Sequence, residues 1–416
     1  MKRPCSFVFC ALLLFLGSAP STSIALTLDT YIDNRSPSKR YPITSHTTEK
    51  MLIDSLHAIQ EQRMDVALYE MENLLEKHPE FHLAQLIYGD LLMSKGRWIT
   101  NVGNYSDGPP EKITDLKEEA RQRLKYYLHQ PNPYTVPEYL VNLAENVTHV
   151  VLLDIHQSRL YLYENQYGNI RLRASYYASV GKNGSPKQSE GDQKTPIGVY
   201  LTTGNISNDE LPDRYGIGAF PINYPNEWDK RFGRTGYGIW IHGVPQNTYS
   251  RPPLSSDGCI VISNEDLLSI KDILAIPNTP VIIADHIPWT KKRDIDIRRN
   301  RFRKKFEAWR RDWESRNHQR YARHYSWNFR SGIEGRSSWL QYKKRINAQK
   351  RYIKVKISNM SIFGYPGEPD TLIVTFDQDY RSSNYSTQGR KHQYWRRENN
   401  DGEKKGVWRI IQETSL

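Results

Sequence analysis

Three stretches of different texture predict a multidomain chain: a small α-helical N-terminal region, a mostly-β middle domain and an α+β C-terminal domain. At 416 residues the chain is too long for one ordinary core. Near Asn146 the apolar pattern switches from helical spacing to short alternating runs, and near residue 287 it switches again, to a long basic helix followed by alternating strands. The expected boundaries are a leader at 1–26, a helical region at 27–145, the mostly-β domain at 146–286 and the basic α+β domain at 287–416. A composition 38% hydrophobic and 25% charged is that of a globular protein, not a disordered or fibrous one.

The leader follows from order. Met1-Lys2-Arg3 is a short basic start, Cys5 to Leu16 is an apolar run, and small and polar residues follow to Thr27. This is the layout of a secretory signal, with cleavage expected near Ala25 and an uncleaved N-terminal anchor as the alternative. The apolar run falls short of the roughly 20 residues of a membrane span, and no later stretch approaches one. The expected location is therefore exported, periplasmic or wall-associated, with no transmembrane span after removal of the signal. Two of the three cysteines, Cys5 and Cys10, lie in the leader. Cys259 is then a lone thiol in an exported protein: buried and inert, paired between chains, or reactive.

The helical region is clearest at Asp65 to Lys95, where two apolar-periodic blocks are broken at His78-Pro79-Glu80. An αα-hairpin of this kind resembles a single tetratricopeptide-type repeat, which cannot bury its own face and must pack on a neighbouring domain. In the middle domain, His149–Ile155, Arg159–Tyr163 and Ile170–Val180 read as strands, with a turn at Gln166–Asn169. Short strands follow at Val199–Thr203, Ile239–Ile241, Ile260–Ile262 and Val281–Ala284, with a helix opened by Ser263 and Asp266 at capping-box spacing. In the C-terminal domain a helix is expected from about Ile295 to about Tyr325, then strands at Tyr352–Ser358, Thr371–Asp377 and Val407–Glu413. From Lys291 onward 31 basic residues face 14 acidic ones, a net of +17, whereas the remainder carries 27 against 32. That asymmetry suits an anionic neighbour, an acidic wall polymer or peptide or a lipid headgroup, or equally a solvated basic face; export argues against nucleic acid.

The residues that carry chemistry are His242-Gly243 and Ser256-Asp257-Gly258-Cys259. His242 closes one short apolar strand and Cys259 opens the next, so pairing of the two strands would join a thiol to a base. Gly243 leaves room for a carbonyl to orient the far ring nitrogen. Gly258 permits a tight turn in which successive backbone N–H groups face a developing oxyanion.

This pattern is similar to the signature of L,D-transpeptidases, a His-Gly pair followed by Ser-x-Gly-Cys. Thr195-Pro196-Ile197-Gly198-Val199-Tyr200 resembles a second segment of that family, and the resemblance spans roughly residues 148–285. It implies a β-rich catalytic domain acting on peptidoglycan stem tetrapeptides, with Cys259 as nucleophile, His242 as proton acceptor and donor, and Ser256 and Gly258 shaping the turn. No metal and no cofactor is implied. Many members have histidine where this chain has Asp257, and arginine where it has Val261. Arg251, Lys194 and Arg234 are candidates for the missing cation, or are solvated loop charges. Domain order resembles that of cell-shape-determining L,D-carboxypeptidases with a nuclear transport factor 2-like C-terminal module. Those use the same chemistry but pass the acyl group to water.

The expected function is L,D-transpeptidase, with L,D-carboxypeptidase as runner-up and a degenerate wall-binding protein third. An enzyme predicts a partly exposed Cys259 hydrogen-bonded to His242. His78 and His82 have ligand spacing but sit at a helix break with no third ligand nearby. Gly181–Ser185 lacks the full phosphate-loop pattern.

Overall fold

The computed structural model describes residues 47–95, 103, 109–399 and 406–415. The expected leader lies outside them, as do residues 27–46 of the expected helical region. Among the described residues no helix is long and apolar enough to cross a membrane.

Four helices come first: α1 (Thr47–Gln60), α2 (Met64–Lys77), α3 (His82–Ser94) and α4 (Pro110–Leu128). The break at His78–Phe81 separates α2 from α3. The buried faces of α1–α3 join in one cluster around Leu52, Leu56, Met71, Leu74, Leu83 and Ile87. The cluster is completed from outside the region by Tyr249, which answers the need of a small helical unit for a neighbour. Residues 135–142 are not helical: they form β1 (Thr135–Pro137) and β2 (Leu140–Asn142). Their pairing is long-range, β1 with Trp289–Lys291 and β2 with Ile362 and Phe363, so their local periodicity carries no sign of it.

The middle domain contains β3 (His149–Asp154), β4 (Arg159–Gln166), β5 (Asn169–Tyr177), β6 (Val180–Gly181), β7 (Gly198–Leu201), β8 (Ile206–Ser207), β9 (Gly218–Pro221), α5 (Glu227–Arg231), β10 (Trp240–His242), β11 (Leu254–Ser256), β12 (Ile260–Val261), α6 (Asn264–Leu274), β13 (Pro280–Ala284) and β14 (Trp289–Lys291). A five-stranded sheet runs β5-β4-β3-β13-β7 and a four-stranded one β12-β10-β9-β8. The β4–β5 turn has positive φ at Tyr167 and Gly168, the tight primed turn that suits strand twist. Val151, Leu153, Leu160 and Leu162 face Ile241, Ile260 and helix α6. Val150, Leu152, Tyr161 and Tyr163 face the other way, into a second cluster shared with Phe363, Tyr365, Tyr394 and Ile411 of the C-terminal domain. Both faces of β3 are therefore covered, which is why it reads as a continuous apolar run.

The C-terminal domain has α7 (Lys292–Glu314), α8 (His318–Ala322), β15 (Tyr325–Ser331), β16 (Glu334–Gly335), α9 (Arg336–Ala348), β17 (Ile353–Gly364), β18 (Thr371–Ser382), β19 (Tyr385–Glu398) and β20 (Val407–Ser415). The long helix stops at Glu314 rather than near Tyr325, because Arg316 takes positive φ and Asn317 caps a new short helix. Phe302, Phe306, Trp309 and Trp313 line the buried face of α7 and pack into the curved sheet against Val374, Phe376 and Trp395. That sheet runs β16-β15-β20-β19-β18-β17-β2.

Candidate active site

Strand β10 lies between β9, antiparallel, and β12, parallel, with Ile241 opposite Ile260 and His242 opposite Val261. This register sets Cys259, the residue before β12, beside the β10 segment that carries His242. His242 is buried, and its Nδ1 lies 2.7 Å from the carbonyl oxygen of its neighbour Gly243. A carbonyl only accepts, so Nδ1 carries the proton and Nε2 is left as the basic nitrogen. Burial, together with the nearby Arg251 and Arg214 charges, pushes the imidazole down to about 4 against the pull of the Gly243 bond. At neutral pH the ring is an uncharged base. Tyr215 meets it edge-on at 5.0 Å and also leans on Trp240.

Cys259 is half-buried, as the enzyme reading requires, but its thiol hydrogen bond goes to the Gly238 carbonyl at 3.4 Å and not to His242. Burial pushes the thiol up and Asp257 adds to this, while the Trp240 amide and the charges of Arg251 and Lys187 oppose it. The resting pair is therefore thiol and neutral imidazole, not thiolate and imidazolium.

The turn before the cysteine is built from hydroxyls. Ser256 Oγ donates to the Cys259 carbonyl at 2.6 Å and accepts the Gly258 N–H at 3.1 Å. Gly258 has φ +122°, and a Cβ there would lie 2.7 Å from the Lys194 carbonyl oxygen. Its N–H is committed to Ser256, so Gly258 shapes the turn and does not donate to an oxyanion. Asp257 is exposed, paired with Lys182 at 3.1 Å and contacted by Gln193. A carboxylate there disfavours developing negative charge, so it is not an oxyanion donor either. Gly243 has its own reason: a Cβ would fall 2.1 Å from Asn264 Oδ1.

Two supporting residues escaped the sequence reading. Thr195 is fully buried; its hydroxyl donates to the Gly258 carbonyl at 3.0 Å and accepts the Gly181 N–H at 2.9 Å. It ties the Thr-Pro segment to the cysteine turn, and its place in that segment was the available signal. Asn264, the first residue of α6, brackets Val244, accepting its N–H at 3.1 Å and donating to its carbonyl at 2.8 Å. An asparagine after a capping serine gives no sign of that reach.

The three candidate cations separate. Arg251 is the one placed by the pair: its charge acts on both Cys259 and His242, its Nη2 donates to the Arg214 carbonyl at 2.9 Å, and its own carbonyl accepts from Tyr177 and Ser179. Arg234 is instead committed to buried Asp229 at 2.9 Å. Lys194 contributes backbone, its N–H to Asp192 and its carbonyl against Gly258. Lys187, buried and paired with Asp192 at 2.9 Å, is a cation the sequence reading passed over. Val261 is buried in the core, where no arginine would fit without displacing packing.

The loop carrying Arg251 is docked on the helical region. The Tyr249 ring packs on Phe81 and His78 at 4.5 and 4.6 Å, and Ser250 donates to Glu119 at 2.6 Å. His78 thus serves an interface, and among the described residues no group of three His, Cys, Asp or Glu side chains could hold a metal.

Comparison with known proteins follows this geometry. Residues 148–283 match the L,D-transpeptidase catalytic domain, and residues 301–414 match the Cds6 C-terminal NTF2-like domain. The structure of Bdellovibrio bacteriovorus Bd1075 is similar at 30% identity and a TM-score of 0.59, over 68% of this chain and 98% of that one. The helical cell shape determining protein Pgp2 from Campylobacter jejuni is similar at 26% identity and a TM-score of 0.55, over 68% of this chain and 95% of that one. No curated protein matches. The chain belongs to the YkuD family, defined by the L,D-transpeptidase catalytic domain and composed of peptidoglycan-acting enzymes, and it carries an NTF2-like domain in its C-terminal part.

Proposed function

We propose that this protein is a cysteine acyl-enzyme acting on peptidoglycan tetrapeptide stems, with Cys259 as nucleophile and His242 as general base, and that it passes the acyl group to water as an L,D-carboxypeptidase. The observation that carries the reading is the β10–β12 register, which brings Cys259 against the strand that carries His242, a neutral imidazole whose Nε2 is the basic nitrogen. As Sγ attacks the carbonyl at the L-centre of the diamino acid, its proton passes to Nε2. That proton then goes to the departing amine of D-alanine as the C–N bond breaks, leaving a thioester on Cys259. Water attacks next, giving a proton to Nε2; the C–S bond breaks, the thiol is restored and a tripeptide carboxylate leaves. A resting thiol suits this sequence, because deprotonation is needed only as the bond forms.

Hydrolysis is favoured over transfer by two observations. The loop from Pro245 to Ser256, which an amine-bearing acceptor strand would need as a groove wall, is held against the break between α2 and α3 through Tyr249 and against α4 through Ser250. The architecture also follows, over nearly their full lengths, that of Bd1075 and of a protein named for determining helical cell shape; the same role in cell shape is part of the proposal, as is export. Transfer to an amine is the second reading, favoured by the family of the catalytic domain itself. Incubation with a defined tetrapeptide muropeptide in ¹⁸O-water decides it. Labelled tripeptide, persisting with excess amine acceptor, is expected; cross-linked dimers without labelled tripeptide would overturn the carboxypeptidase reading.

A further inference from the structure

Lys182 and Asp257 form an exposed ion pair at 3.1 Å beside the cysteine turn, and no acyl-transfer step uses them. We propose that this pair is the specificity-determining contact for the side-chain end of the stem's diamino acid, Asp257 taking its ammonium and Lys182 its carboxylate, so that stems built on diaminopimelate are preferred to stems built on lysine. The contact presupposes Cys259 as the nucleophile.

Backbone geometry fixes where the pair stands. β6 runs parallel to β11 with Gly181 opposite Ser256, and the Lys182 N–H donates to the Ser256 carbonyl at 2.8 Å. Lys182 and Asp257 are the residues that follow these two paired strands. Asp257 comes two positions before Cys259, within about 7 Å of extended chain. Gln193 Nε2 donates to Asp257 Oδ1 at 3.3 Å, and Gln193 Oε1 accepts from Asn183 Nδ2 at 3.4 Å, so an amide chain steadies the carboxylate from one side. The Asp257 side chain nevertheless stays 79% exposed and that of Lys182 46%.

Once the L-centre carbonyl sits at Sγ, the side chain of the diamino acid leaves the reacting centre on a short methylene chain. A residue two positions from the nucleophile lies within its reach. That side chain ends in an ammonium in lysine, and in diaminopimelate in an ammonium and a carboxylate on one carbon. Adjacent opposite charges on the ligand complement adjacent opposite charges on the protein. An exposed ion pair contributes little to stability, so exchanging it for two contacts with a ligand costs little.

The position of Asp257 favours such a ligand for a second, electrostatic reason. Its carboxylate opposes ionisation of the Cys259 thiol and also acts on Arg251. Left bare, it hinders attack; an ammonium laid on it removes the hindrance. A substrate that brings this counter-charge is helped as the thiol ionises, and not only on binding.

Three soluble tetrapeptides that differ only in the third side chain, diaminopimelate, lysine or norleucine, remove first the carboxylate and then the ammonium. With the wild-type enzyme kcat/KM should fall about tenfold at each step, the scale of one charge-assisted hydrogen bond. Lys182→Gln should erase the first step and keep the second, and Asp257→Asn should do the reverse. A merely structural ion pair would change all three substrates alike. Both steps surviving in both variants, or a wild type that treats the three stems equally, would overturn the proposed contact. If the wild type turns over none of the three, the catalytic reading fails instead. Calorimetric titration of the same peptides into the Cys259→Ala protein then decides the pair: affinity falling in the same order supports it, and equal affinities overturn it.

Discussion

Against the N-terminal helices the catalytic domain presents Arg159, which pairs with Glu49 and stacks at 3.9 Å over the Tyr126 ring. Arg123 from α4 meets Glu119 at 2.9 Å, reaches Glu49 at 3.3 Å and covers Tyr177. All four charged side chains are buried. Against the C-terminal domain it presents Arg231, whose bonds end on backbone carbonyls. Both contacts use arginine, but Arg159 and Arg123 meet carboxylates, whereas Arg231 meets backbone carbonyls. The difference separates a joint whose arginines are paired with carboxylates from one whose Arg231 is held by backbone carbonyls.

The largest expected effect lies between the joints and should disturb neither. Cys259→Ala should abolish turnover of a soluble tetrapeptide, and His242→Ala should lower it ~10²–10⁴-fold, with thermal unfolding unchanged in both. Near-full activity of the alanine protein at Cys259 would end the thiol mechanism.

The comparison itself is tested by Glu49→Gln, which strands buried Arg159 and half of Arg123's partners. Breaking a buried pair costs about 3–5 kcal/mol, read by urea unfolding, whereas Arg330→Glu at the second joint should stay within ~0.5 kcal/mol. Equal losses would erase the distinction between the two joints. Despite burial, Arg159 and Arg123 hold the Glu49 carboxyl below its ordinary value of 4.5. Its contribution is therefore complete above pH 4.5 and is lost as pH falls through its lower folded value. Glu49→Gln should flatten that acid-side loss.

A smaller effect sharpens the picture of the site. With His242 pushed down to about 4, kcat/KM should hold from neutrality to near pH 4 and fall below it as the base takes a proton. An acid limb near 6.5, the value of an unperturbed histidine, would mean that the ring is wetter than its burial here.

Much of the catalytic core was legible because its signals are local. β3, β4 and β13 read as apolar runs, and His-Gly and Ser-x-Gly-Cys are each contiguous motifs within the stretch 242–259. What stayed hidden depends on contacts far apart in sequence. The stretch from 206 to 231 holds two short strands and a five-residue helix, each below the length at which periodicity speaks. β19 was missed because its first five residues, Tyr385 to Gly389, are exposed; only His392 to Trp395 are buried. The hydrogen bond expected between Cys259 and His242 failed for a geometric reason: register sets which residues face each other, but not which carbonyl a thiol meets first.

Strand β2 carries a consequence for how the molecule is made. It forms the last strand of the C-terminal sheet, and Asn142 donates to the Met360 carbonyl 218 residues further along the chain. The catalytic domain is thus inserted between one edge strand and the rest of that sheet. During synthesis the edge strand emerges early and waits, unpaired, until β17 is made. Only then is the outer face of the catalytic sheet, with Val150, Leu152 and Tyr161, covered. A closure of such high contact order is slow relative to the domain it encloses, and until it completes the nascent protein exposes both an open strand edge and an apolar face.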